Sequence, residues 1–90
     1  MAGRRVIFSR EFEECAKRLG DPKSVDEAVA PVVDALYRDP FAFRVIATDW
    51  VRCRYAITRA TMHLPPLIVI FTIEENGDVI IGDVEEAERY

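Results

Sequence analysis

Cysteine, histidine, tryptophan and glycine are all scarce in this chain: two, one, one and four among 90 residues. Cys15 and Cys53 have neither metal-ligand spacing nor a histidine beside them. They therefore argue against a metal centre and are weak grounds for a disulfide. Each sits on the apolar side of its element, so two buried thiols are expected. No glycine-rich phosphate loop, nucleophile elbow or metal cluster is present, so neither a metal nor a cofactor is expected. No apolar run approaches the roughly 20 residues of a membrane helix, and a membrane partner is not expected. The basic start Met1-Ala2-Gly3-Arg4-Arg5 precedes only Val6-Ile7-Phe8 before Ser9-Arg10-Glu11. That is too short for a signal-peptide core, and a cytoplasmic location is expected.

Lysine is the other shortage. Of 12 basic residues only Lys17 and Lys23 are not arginine, the side chain suited to bidentate phosphate or carboxylate recognition. Half of the residues are hydrophobic, which implies a globular fold, and the length implies one domain spanning 1–90. The formal net charge of −4 hides an asymmetry. Residues 38–59 hold Arg38, Arg44, Arg52, Arg54 and Arg59 against Asp39 and Asp49, whereas residues 74–90 hold seven acids against Arg89. An acidic balance disfavours non-specific nucleic-acid binding but leaves a local arginine contact open.

Residues 4–8 read as a short first strand. Ser9 caps a helix whose apolar stripe is Phe12, Cys15, Ala16 and Leu19, and Gly20 closes it. Ser24-Val25-Asp26-Glu27 has the pattern of a capping box opening a second helix. Its stripe is Val25, Ala28, Val29, Val32, Val33 and Leu36, with a kink or restart expected at Pro31. Asp39-Pro40 ends it. Residues 41–47 are either an extended piece or an irregular approach to the sheet.

Three strands follow, at 50–58, 67–74 and 79–84. In the first, Val51, Cys53, Tyr55 and Ile57 alternate with Trp50, Arg52, Arg54, Ala56 and Thr58, and the former set is expected to face the helices. Asn76-Gly77 joins the last two strands as a tight hairpin with φ > 0 at both positions. The expected fold is α+β: a small antiparallel sheet with two N-terminal helices packed on one face, in the order β-α-α-β-β-β.

Arg52 and Arg54 are the leading candidate site. On a strand they project from one side about 7 Å apart, close to the spacing of phosphates. Trp50 on the same side can stack on a base. The plainer alternative is a solvated face whose arginines pair with nearby acids, Asp83 and Glu85 among them. His63 is a lone loop histidine without an orienting acid or nucleophile. Tyr90 is a candidate acid or stacking group at the last position. Glu85-Glu86-Ala87-Glu88 reads as a solvated tail or frayed turn.

The succession of elements resembles the RelE/ParE superfamily of type II toxin–antitoxin toxins. It is carried by Leu36-Tyr37-Arg38-Asp39-Pro40 at the end of the helix pair, by the basic strand Val51-Arg52-Cys53-Arg54-Tyr55, and by the final hairpin over 67–84. The resemblance implies a small toxin, of the kind known from plasmid stabilisation, held inactive by a cognate antitoxin. Its ribosome-dependent members cut messenger RNA with basic residues that orient phosphate, whereas ParE-like members poison DNA gyrase by contact. By this resemblance Arg52 and Arg54 match the basic strand, and Tyr90 matches a tyrosine near the family's C-terminus. Pro65-Pro66-Leu67-Ile68-Val69 lacks the family's further arginine, and Gly82-Asp83-Val84-Glu85-Glu86 replaces a basic or histidine-bearing segment. Both departures, with the acidic balance, weigh against RNA cleavage. The leading expectation is a toxin or toxin-like protein that acts by protein–protein contact. The rivals are a ribosome-dependent mRNA endonuclease using Arg52 and Arg54, and a non-toxic interaction domain that kept the fold.

Overall fold

A computed structural model of the chain describes residues 4–47 and 52–87, the side chains at 47 and 52 excepted. The elements are β1 (Val6–Phe8), α1 (Arg10–Leu19), α2 (Pro22–Arg38), a 3-10 turn (Pro40–Ala42), β2 (Arg44–Ala47), β3 (Arg52–Ile57), β4 (Leu67–Ile73) and β5 (Val79–Glu86). They form an α+β fold around one five-stranded sheet in the order β1-β5-β4-β3-β2. No helix among the described residues is long and apolar enough to cross a membrane.

The sheet is mixed, which corrects the expected antiparallel one. β1 runs parallel to β5, with Val6 opposite Val79 and Phe8 opposite Ile81. The other neighbours are antiparallel. A parallel neighbour is not joined by a tight turn, so short-range signals cannot reveal it. An added strand, β2, resolves the ambiguity over 41–47: a 3-10 turn first, then four residues of strand. The free edges are therefore β1 and β2. The last strand, β5, is not an edge, since β1 and β4 flank it. It also runs to Glu86, so Glu85 and Glu86 are strand residues and not a frayed tail.

Local chemistry sets the helix ends. Ser9 Oγ accepts from the Phe12 amide at 3.1 Å, with Glu11 and Glu13 in the first turn and Lys17 and Arg18 in the last. These charges complement the helix dipole. The second helix starts earlier than a capping box at Ser24 predicts. Asp21 is the cap, Pro22 occupies the first turn, and Asp21 accepts from both the amide and the hydroxyl of Ser24, at 3.1 and 2.6 Å. A carboxylate next to a pre-set proline φ makes the better start. α2 continues through Pro31 without the restart that was one expectation. The carbonyl that loses its donor belongs to Glu27, and both Pro31 and Glu27 are exposed.

Of the two turn residues Gly77 has positive φ, at 93°, and Asn76 does not, so the Asn76-Gly77 hairpin is not the two-residue turn expected. The Gly77 amide donates to Glu74 and the Glu74 amide to the Asp78 carbonyl. This is the longer loop in which a left-handed glycine follows a β-turn.

The core cluster joins Phe12 and Ala16 of α1 and Val25, Val29, Val32 and Leu36 of α2 to Ala56, Leu67, Val69, Phe71, Val79, Ile81 and Val84 of the sheet. Both helices thus lie on one face, as expected, but it is not the predicted face of β3. Ala56 and Thr58 are buried, whereas Ile57 is 57% exposed. Cys53 and Tyr55 share the side of Ile57, and Val51 lies outside the described residues. Alternation shows that a strand has two unlike sides, and the more apolar one was taken as inner. Register decides otherwise, because Arg54 and Ala56 stand opposite the core residues Phe71 and Val69. Cys15, Leu19 and Val33 pack against the cluster while only partly buried.

The short parallel ladder of β1 is reinforced from the hairpin. Asp78, itself buried, accepts from the Arg5 amide at 2.9 Å and from Arg5 Nη2 at 3.0 Å. Arg5 and Ser9 exchange backbone bonds with Val79 and Ile81 on either side, and Arg4 Nη1 donates to the Leu36 carbonyl at 3.4 Å.

Two outcomes test this packing. Leu36→Ala, at a fully buried position, is expected to cost about 2–5 kcal/mol in urea unfolding. A loss under about 1 kcal/mol would show the α2 face to be misassigned. Asp78 has its carboxyl held below the ordinary range, mainly by the Arg5 amide and also by the Arg5 guanidinium. A depressed folded pKa stabilises the protein above the ordinary aspartate range, near pH 4, and that contribution fades as pH falls through the lowered value. Asp78→Asn should therefore lower stability at neutral pH, flatten the acid limb, and speed amide exchange at Val79. An unchanged acid limb contradicts the assignment.

Candidate functional site

Arg54 sits where β3 passes beneath the turn that follows α2. Its Nη1 donates to the carbonyls of Phe43 at 2.6 Å and Phe41 at 3.2 Å. Its guanidinium carbon lies 5.3 Å from the centroid of the Phe41 ring. Asp39 braces the same turn, its carboxylate accepting from the Phe41 amide at 3.1 Å. Among the described residues Arg54 makes no ion pair; the expectation that at least one of Arg52 and Arg54 pairs with Asp83, Glu85 or another acid of the tail also involves the Arg52 side chain, which lies outside the described residues. Those acids have other geometry. Asp83 accepts from the Cys15 thiol at 3.0 Å and from the Val84 amide at 2.9 Å, and Glu85 projects from the sheet face opposite the helices, beside Ile68.

This arrangement changes what Arg54 can do. A fork onto phosphate needs two N–H groups presented together. Here one terminal nitrogen bridges two carbonyls and the flat face meets an aromatic ring, a cation–π contact. These contacts fix the orientation of the guanidinium and confine any phosphate fork to its Nε–Nη2 edge. The other members of the predicted site, Trp50 and Tyr90, lie outside the described residues, as does the side chain of Arg52. His63 is exposed. Among the described residues no group of three or more His, Cys, Asp and Glu side chains can hold a metal.

The cysteines are free thiols, but both are half-buried, which corrects the expectation of full burial. The Cys15 thiol is pushed up, chiefly by donating to Asp83 and further by burial and the Asp83 charge. It stays protonated at neutral pH and is a poor nucleophile.

A groove of about 410 Å³ lies beside the edge strand β1, and its lining residues are not among those the sequence singles out as a site. Phe8, Val29, Val33 and Tyr37 line it, and Asp26 and Asp34 stand on its rim. Phe8 is 39% and Tyr37 51% exposed. A signal existed: Val29, Val33 and Tyr37 follow one another at every fourth position, extending the apolar stripe past the part the sheet covers. Comparison of the chain with family models, curated proteins and solved structures gives no match. The function is therefore argued from these two features.

Arg54→Ala should loosen the turn over Pro40–Ala42 and cost about 1–3 kcal/mol, from two charge-assisted bonds and a cation–π contact. A freely solvated arginine would cost within about 0.5 kcal/mol. Thermal unfolding of the variant distinguishes the two. An unchanged melting temperature overturns the bracing role and frees Arg54 for a ligand.

Proposed function

We propose that this chain is a toxin, or a toxin-like component, of a bacterial type II toxin–antitoxin module of the RelE/ParE kind. It acts in the cytoplasm by protein–protein contact and is neutralised by a cognate antitoxin. The observation that favours contact over cleavage is the engagement of Arg54 with the Phe41 and Phe43 carbonyls. Ribonuclease chemistry depends on cationic groups free to meet charge developing on phosphate. Here the described cation of the basic strand serves the fold. Of the targets the resemblance offers, DNA gyrase suits this surface better than ribosome-bound messenger RNA.

The antitoxin reading draws support from the β1 edge and the groove beside it. An extended segment can add to a free strand edge through main-chain bonds while its side chains fill neighbouring pockets. Phe8, Val33 and Tyr37 offer apolar seats, and Asp26 favours a segment that carries basic residues, Asp34 being paired with Arg38 at 2.8 Å. A strand followed by two helices and an antiparallel block supports the kinship.

Inducible expression in bacteria tests the proposal. Growth should stop, with chromosome topology changing before transcripts shorten. Co-expression with the adjacent small gene should restore growth and yield a stable complex. Tyr37→Glu should weaken that complex at least about tenfold, as for an anchor in an interface. Growth that continues, with a chain that ignores its genomic neighbour, overturns the proposal. Ribosome-dependent cleavage of messenger RNA that is lost on replacing Arg52 and Arg54 by Ala supports the endonuclease instead.

A further inference from the structure

We infer that the cavity between α2 and the end of β3 is a binding site for a free α-amino acid with an aliphatic side chain. It measures about 280 Å³. Ala28, Val32 and Ala35 of α2 line one side, Ala56 and Thr58 the other, with Phe43 beside them. Ala28, Val32, Ala56 and Thr58 are buried, so the cavity reaches down to the core. Its origin is structural. α2 makes its closest approaches to α1, β1 and the 3-10 turn, and the side chains that line its gap to β3 are largely alanines. Short side chains on both sides leave room that longer ones would fill.

Charge and size identify the occupant. Glu27 and Arg59 both line the cavity, and both are exposed at its mouth. Among the described residues neither makes an ion pair, to the other or to any third residue. Pro31 lines the cavity as well, and its missing N–H leaves the Glu27 carbonyl without a helical donor. Glu27 thus offers two acceptor groups, which suit an ammonium, and Arg59 offers a guanidinium fork, which suits a carboxylate. The apolar walls beneath suit an aliphatic side chain. An α-amino acid carries these three groups on one carbon. Pockets for drug-sized ligands hold about 300–1,000 Å³, so a nucleotide exceeds this one. A phosphate would also face the Glu27 carboxylate with a single arginine to offset it. A sugar needs more polar partners than this lining supplies. The amide-bonded end of a peptide carries one of the two charges and leaves either Glu27 or Arg59 unanswered.

This inference is independent of the proposed function, because its test uses the chain alone with L-leucine as the probe. In a titration followed by amide NMR, L-leucine should saturate shifts at Ala28, Val32, Ala56 and Thr58 at low-millimolar concentration or below. Leucinamide, which lacks the carboxylate, and N-acetyl-leucine, which lacks the ammonium, should each bind at least about tenfold more weakly. Glycine, which lacks the side chain, should lose as much. Arg59→Gln should weaken L-leucine by a similar factor and leave leucinamide unchanged. Glu27→Gln should weaken L-leucine and leave N-acetyl-leucine unchanged. Both positions are exposed, so circular dichroism and the thermal transition should match those of the wild-type chain. No saturable shift in the cavity up to about 10 mM L-leucine overturns the inference. So does leucinamide or N-acetyl-leucine that binds as tightly as L-leucine, since the occupant is then a peptide end or a plain apolar molecule. Binding of L-leucine that Arg59→Gln leaves intact overturns it too.

Discussion

The pairing of β1 with β5 is the constraint on which the rest depends. The first strand lies beside the last, so everything from Ser9 to Asp78 is an excursion that begins and ends at one seam. Three residues of parallel ladder are a weak closure by themselves. The Asp78 carboxylate reinforces it by taking the backbone amide and the guanidinium of Arg5 together. Because Asp78 belongs to the hairpin turn, the contact also fixes where β5 begins. It therefore sets the register in which Val79 and Ile81 meet the helices. Arg4, one residue earlier, reaches a carbonyl in the last turn of α2. The seam thus holds sheet to sheet and sheet to helix at one point.

The helices reach only part of the sheet. α1 packs chiefly on β5, α2 touches β1 and the 3-10 turn, and Val45 of β2 is 42% exposed. That edge strand needs its own support, and Arg54 supplies it by binding the turn that leads into β2. A cation at this position gives a polar answer to a geometric problem, because the carbonyls of a short turn need donors. The same contacts hold its guanidinium in one orientation.

Much of this was legible in sequence. The two helices, the cap at Ser9, the buried stripe through Leu36 and four of the five strands follow from local periodicity and capping. Caps and stripes are settled within one turn of chain, where propensity and side-chain spacing suffice. The apolar groove was half legible, since Tyr37 continues the Val29–Val33 spacing. Arg54 was recognised as special, but its partners were not. Phe41 and Phe43 lie in a turn whose approach to β3 depends on β2 pairing with β3.

By itself, then, the sequence determined one small α+β domain, its helices and the central strands, because each is coded by contacts a few residues apart. Tertiary structure alone decided that β1 runs parallel to β5, that Ala56 and not Ile57 turns inward, and that Arg54 meets carbonyls instead of carboxylates. The physical reason is common to all three. Each is a matter of register between segments distant in sequence, and a slip of one residue exchanges every inward side chain for an outward one. Hydrophobic alternation carries the period of a strand but not its phase.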